Sequence, residues 1–242
     1  MKDSILITGA SSDLGVSLIQ RLDSKATIFA LYHSNNVFKQ QCFSDRHIIP
    51  LQCDLSDIHQ IQAMITHIQT IAIPNKIVHL ASPRICNTHF GKLAWEDYKT
   101  HLSISLESIF HILQAFIPQL VRQKDKRDKK VVFMLSSCTM GVPPATLSHY
   151  VTAKYALLGL LKSLTSEYRS KNIQFNAISP SMIETKFLSN INEKIIELNA
   201  YNHPLKRNAT IDDVLPTLLF LLSRESNYIN GENLIISGGE VF

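Results

Sequence analysis

An α/β fold, doubly wound about a parallel seven-stranded sheet, is predicted by three features of this sequence. Short apolar runs of strand length alternate with longer stretches of helical period from one end of the chain to the other. The first run leads through the glycine-bearing turn Gly9-Ala10-Ser11-Ser12-Asp13-Leu14-Gly15 into an amphipathic helix. A serine closing a later apolar run, Ser137, precedes the pair Tyr150 and Lys154 by thirteen residues, counted to the tyrosine.

Taken in order, strands are expected at 4–8, 26–31, 47–52, 76–80, 130–135, 173–178 and 233–236. Helices are expected at about 14–24, 56–71, 95–123, 148–170 and 211–223. The first helix places Leu14, Leu18 and Leu22 on one side. Strands joined through helices run parallel with right-handed crossovers, so the sheet carries helices on both faces. The charged run from Arg122 to Lys130, which includes Asp125, reads as a solvated loop. No internal repeat is present, and 1–242 is expected to be one domain.

Composition agrees. Hydrophobic residues make up 45%, an ordinary globular share. A net charge of +4 and pI ≈ 8.8 favour acidic or phosphorylated ligands only slightly. Cys42, Cys53, Cys86 and Cys138 show neither Cys-x-x-Cys nor zinc-site spacing and read as reduced, small hydrophobes, with no metal expected. Met1-Lys2-Asp3 leads directly into the first strand, and no uninterrupted apolar run approaches the roughly 18 residues of a spanning helix. The expectation is a cytoplasmic protein, with no nucleic-acid or membrane partner.

The turn and the pair carry the chemistry. In a strand, glycine turn and helix, backbone N–H groups and the positive helix end meet a pyrophosphate, as in dinucleotide sites. Tyr150 and Lys154 lie four apart on one helical face. A phenol has a pKa of about 10, and a neighbouring ammonium is expected to lower it into a range useful for proton transfer. Ser137 stands at a strand end, where ligands bind in open α/β sheets.

With these features in register the chain resembles the classical short-chain dehydrogenase/reductase family over nearly its whole length. The resemblance implies a Rossmann-type domain and a nicotinamide cofactor. Gly9, Ser11, Ser12, Asp13, Leu14 and Gly15 fall on the family's Thr-Gly-x-x-x-Gly-x-Gly turn. Ser137, Tyr150 and Lys154 match its catalytic serine, tyrosine and lysine, with Tyr150 and Lys154 also touching cofactor. Pro180, Ile183 and Thr185 match its Pro-Gly-x-Ile-x-Thr segment beside the nicotinamide, and Gly238-Gly239 its terminus. Asp54-Leu55 matches the adenine-contacting pair, with Asp54 also expected to cap the helix from Ser56.

After the second strand, Leu31-Tyr32-His33-Ser34-Asn35-Asn36 holds no acidic residue to receive the ribose hydroxyls of NAD. It is similar to the Tyr-Arg-Ser-Asn of NADP-using members, so His33 and Ser34 are expected on a 2′-phosphate and NADP(H) is favoured over NAD(H). Three departures stand out. Asp13 replaces the middle glycine of the turn; His79-Leu80-Ala81-Ser82 replaces Asn-Asn-Ala-Gly, with Ala81 kept at the cofactor; and Ser105 stands where an asparagine holds a relay water, Ser103 being the nearby alternative.

The resemblance implies carbonyl reduction, or the reverse alcohol oxidation, by hydride transfer with Tyr150 as general acid or base. His203-Pro204-Leu205-Lys206-Arg207 is similar to the Pro-Leu-x-Arg of 3-oxoacyl-(acyl-carrier-protein) reductases. A small-molecule or carrier-bound carbonyl substrate follows, with Arg122, Arg127, Lys129 and Lys171 available to an acidic carrier. A substrate lid is expected at about 186–205, its apolar residues including Phe187, Leu188, Ile191, Ile195, Ile196, Leu198 and Tyr201. Ile104, Ile109, Phe116, Ile117, Tyr155, Leu158, Leu161 and Leu164 exceed one sheet-facing stripe and are expected at a homodimer or homotetramer contact. The three departures leave open a second reading, a dinucleotide-binding regulatory protein on the same fold.

Overall fold

The computed structural model describes residues 2–35, 37–39, 46–124 and 126–241; Met1, Asn36, Cys42 and Asp125 lie outside the described residues. Seven strands form one sheet: β1 (Ser4–Thr8), β2 (Thr27–Tyr32), β3 (His47–Gln52), β4 (Lys76–His79), β5 (Lys130–Met134), β6 (Gln174–Pro180) and β7 (Asn233–Ile236). Their order is 3-2-1-4-5-6-7, and every pair is parallel. Because β1 pairs with both β2 (Ile5↔Ile28) and β4 (Ile5↔Lys76), the winding reverses at β1. That reversal opens a crevice beyond the carboxyl ends of β1 and β4.

Among the described residues, seven α-helices flank the sheet: α1 (Asp13–Arg21), α2 (Ile58–Ile71), α3 (Trp95–Leu102), α4 (Ser108–Arg122), α5 (Ser148–Tyr168), α6 (Glu193–Asn202) and α7 (Ile211–Leu222). The period of two along each strand divides the core. Leu6, Phe29, Ile77, Phe133 and Phe175 pack with Ile68 of α2, Phe116 of α4 and Leu161 of α5. Ile5, Ile7, Ile28, Val78 and Val132 face the other way, onto Leu18 and Ile19 of α1 and Val214 and Leu218 of α7. Each such fully buried side chain contributes roughly 1.5–3 kcal/mol, so both layers hold the sheet.

Local chemistry shifts several boundaries. The side chain of Asp57 accepts from the N–H of His59 at 2.8 Å and caps α2, which therefore begins at Ile58. Asp54, expected as that cap, accepts instead from the N–H of Ser56 at 2.9 Å. The helix expected at 95–123 is α3, a π-helical segment Ser103–Glu107 and α4 in one rod. This rod, Trp95–Arg122, is long and apolar enough to cross a membrane by composition. Its residues Ile109, Ile112, Phe116, Ile117 and Leu120 are buried against the sheet. Ile109, Phe116, Ile117 and Leu161, expected at a subunit contact, are thus core residues, while Phe110 and Tyr155 are exposed. Within 186–205 the chain forms α6, capped by Asn192.

β3 is an edge strand containing Pro50. The N–H of Cys53 donates to the carbonyl of Tyr32 at 2.9 Å, so alternation along the strand turns the nitrogen of Pro50 outward. A residue without an N–H is tolerated there because no ladder bond is lost.

Candidate active site

The turn after β1 is shaped for close approach. Gly9 has φ +65, and a Cβ there would lie 3.0 Å from the nitrogen of Ala81. At Gly15 a Cβ would lie 2.6 Å from the carbonyl oxygen of Ala10, so helix α1 can start tight against the turn only with glycine. Ser12 caps α1, accepting from the N–H of Gly15 at 3.1 Å, and Ser11 sits within the turn beside it. Leu14 is buried in the α1 core. These residues fit a diphosphate at the helix N-terminus. Asp13, the first residue of α1, sends its carboxylate across to the segment after Thr185: Oδ2 accepts from the N–H of Lys186 at 2.8 Å, and Oδ1 lies 3.7 Å from the Lys186 ammonium.

At the ends of β2 and β3 the structure brings His33, Ser34 and Asp54 to one surface. His33 and Ser34 are exposed, and Nε2 of His33 is 3.7 Å from Oδ2 of Asp54. Hydrogen bonds from Ser56 hold the Asp54 carboxyl below its usual range, with His33 adding to the effect. Leu55 packs on the α2 side of the core.

Tyr150 and Lys154 project from α5 into the end of β5, and both are buried. The Lys154 ammonium donates to the carbonyl of Met134 at 2.9 Å and lies 5.4 Å from the Tyr150 ring centroid. Burial lowers Lys154 to about 8. Burial likewise pushes the Tyr150 phenol above its ordinary value, and the neighbouring Cys138 adds to this, whereas Ser136 acts the other way. The lowering expected from Lys154 is not found: the cost of moving a phenolate out of water dominates, and the hydrogen bond that opposes it comes from Ser136. The hydroxyl set against the phenol belongs to Ser136, which also accepts from the N–H of Cys138 at 3.3 Å. Ser137, chosen by its spacing, opens the short 3₁₀ turn that follows. The Cys138 thiol is raised by burial, as suits an inert packing residue.

Sequence reasoning marked His79 only as a departure from the family's pattern and gave it no role. At the end of β4 its Nδ1 is 2.8 Å from Oγ1 of Thr8, and its Nε2 is 2.8 Å from the carbonyl oxygen of Ser105. A carbonyl only accepts, so Nε2 carries the proton. Nδ1 then accepts from the Thr8 hydroxyl, which in turn accepts from the N–H of Ala81 at 3.2 Å. Burial lowers His79 to about 3, so the ring is neutral. One side chain thus joins the glycine turn, the end of β4 and the π segment; a histidine opposite a threonine on adjoining strand ends was the available signal. The Ser105 hydroxyl, expected to hold a water, is buried with no hydrogen-bond partner among the described residues.

Pro180 closes β6, Ile183 bridges to Ala209, and Thr185 donates to the carbonyl of Ile183 at 3.5 Å. The strand that Pro180 closes lies beside β5 in the sheet. Ile85, Cys138, Tyr150 and Val151 form an apolar wall, against which Leu147, Phe187 and Ile191 pack.

A glycine-turn cradle facing a buried tyrosine and lysine at the switch point of a parallel sheet defines a nicotinamide-dinucleotide oxidoreductase. The chain belongs to the short-chain dehydrogenase/reductase family; a family model described as enoyl-(acyl carrier protein) reductase matches residues 25–240. It is similar to the 3-oxoacyl-[acyl-carrier-protein] reductase FabG of Staphylococcus aureus, 25% identical over 248 residues that cover 99% of this chain and 98% of that one. The match to the same reductase of Buchnera aphidicola is 29% identical over 144 residues, 60% of this chain and 57% of that protein. Among solved structures, 4-hydroxyisoleucine dehydrogenase complexed with NADH superposes with TM-score 0.89 at 24% identity, covering 98% of both chains.

Proposed function

We propose that this chain is an NADPH-dependent carbonyl reductase for an apolar, 3-oxoacyl-type substrate, free or held by an acidic carrier protein. The observation that carries this reading is the buried Tyr150–Lys154 pair, with Tyr150 part of an apolar wall against which Phe187 and Ile191 of the 186–205 segment pack. Nicotinamide, when bound, supplies the hydride that adds to the carbonyl carbon. Tyr150 gives its proton to the carbonyl oxygen, and its raised phenol is in the protonated form that reduction requires. Lys154 binds ribose hydroxyls beside the phenol. A serine hydroxyl at the end of β5, Ser137 by spacing and Ser136 by its contact with the phenol, holds the oxygen. Gly9, Ser11, Ser12, Leu14 and Gly15 receive the diphosphate, Asp54 and Leu55 the adenine, Ala81, Pro180, Ile183 and Thr185 the nicotinamide side.

The preference for NADP rests on His33 and Ser34 at the end of β2, where no carboxylate precedes them in the strand. The segment 186–205 serves as the lid. A cytoplasmic homotetramer is the expected working form, with the exposed Phe110 of α4 and Tyr155 of α5 in subunit contacts. Titration with NADPH and NADH, followed by a carbonyl panel read by loss of nicotinamide absorbance, tests the reading. Tyr150→Phe should bind NADPH normally and lose most turnover. Near-normal turnover in that variant, or binding without turnover across a broad panel, would reject it.

A further inference from the structure

We propose that Lys186 is a positioning residue for the cofactor turn, holding the Asp13 carboxylate away from the anion-binding end of α1. The inference rests on the dinucleotide reading above. An aspartate at the first position of a helix is itself favoured by the helix dipole, and it occupies the end that would receive a diphosphate. Left free, it would repel that ligand. Both of its oxygens are instead engaged by one residue, 173 positions further on: the main-chain N–H of Lys186 at 2.8 Å and its ammonium at 3.7 Å.

The two contacts differ in character. The Lys186 ammonium is 89% exposed, so as an isolated ion pair it adds little to stability. The amide bond to a charged acceptor is short and directional, and it fixes where the carboxylate points. Together they place one positive charge beside the one negative charge of the turn, so an incoming diphosphate meets a compensated surface. They also tie the turn to the residue next to Thr185, joining the cofactor cradle to the start of the 186–205 segment.

The test uses Lys186→Met, Asp13→Asn and the double variant, titrated with NADPH. Lys186→Met should weaken binding about tenfold, the scale of one uncompensated unit charge near a half-exposed site. Asp13→Asn should bind at least as tightly as the unmodified chain, and the double variant should recover most of the loss. A double variant as weak as Lys186→Met, or no loss in Lys186→Met, would overturn the proposal. In the cofactor-free chain, Asp13→Gly should speed amide hydrogen exchange at Lys186 at least about tenfold; an unchanged rate would also overturn it. An unmodified chain that binds neither NADPH nor NADH would instead sink the dinucleotide reading itself.

Discussion

At the scale of single residues, burial decides protonation at the site. Removal from water raises the Tyr150 phenol above its ordinary value and lowers Lys154 to about 8, each shift favouring the uncharged form. The choice of serine follows from placement. Ser136→Ala should cost about 10²-fold in kcat, the usual scale for one lost hydrogen bond to the reacting oxygen, and Ser137→Ala less than about tenfold. Parallel measurement of both variants decides, and the opposite ranking would return the role to Ser137. For the cofactor, His33→Asp should move the ratio of kcat/KM for NADPH over NADH toward NADH by charge repulsion with a 2′-phosphate. An unchanged ratio would show that this surface does not contact that phosphate.

At the scale of elements, the sequence made the regular parts legible because local chemistry specifies them. Apolar runs marked all seven strands, five of them carrying buried residues, and Gly9 and Gly15 marked a turn that no larger residue fits. What it hid depends on distant partners. The rod from Trp95 to Arg122 keeps an unbroken apolar pattern, so nothing local reveals the π segment whose Ser105 carbonyl is held by His79 from another strand. π-bulges of this kind often mark functional sites. The partner of Asp13 lies 173 positions along the chain, and the hydrogen bond that bears on the Tyr150 phenol comes from Ser136, one place before the Ser137 of the spacing rule. His79→Leu should destabilise the fold by about 2–4 kcal/mol, because the Ser105 carbonyl loses the imidazole donor and the Thr8 hydroxyl, still accepting from Ala81, loses the acceptor of its proton. His79→Gln, with an amide able to reach Ser105, should recover part of that loss in urea unfolding. Equal stability of the leucine variant and the unmodified chain would show that the ring bears no such burden.

For the molecule as a whole, two buried lysines add a pH-dependent contribution to stability above about pH 8, opposed from about pH 9 by Cys53, which burial raises to about 11. Lys130 is 1% exposed, donates to the Ser226 hydroxyl at 2.8 Å, and is lowered by burial to about 8, as Lys154 is. Between about pH 8 and the unfolded value near 10.5, the unfolded chain holds more protons than the folded one at both positions. Stability contributed by these groups therefore rises with pH through that window. Lys130→Met should stabilise the fold at pH 7 by on the order of 1–3 kcal/mol and flatten this rise. Denaturant titrations at pH 7 and pH 10 check it; a variant less stable at both would mean that the ammonium is a net support. Light scattering tests assembly, with a stable monomer of 27.3 kDa at micromolar concentration counting against the tetramer.

Pro50 makes the two rims of the sheet unequal. On the outer side of β3 its nitrogen has no hydrogen to offer, so a strand from another molecule laid there meets a gap in mid-ladder. The outer side of β7, Asn233–Ile236, contains no such interruption. Sheet extension between molecules is thereby restricted to one rim. A particle with one adhesive rim can close on a twin but has no second rim to pass the interaction onward, which disfavours open fibres in crowded solution.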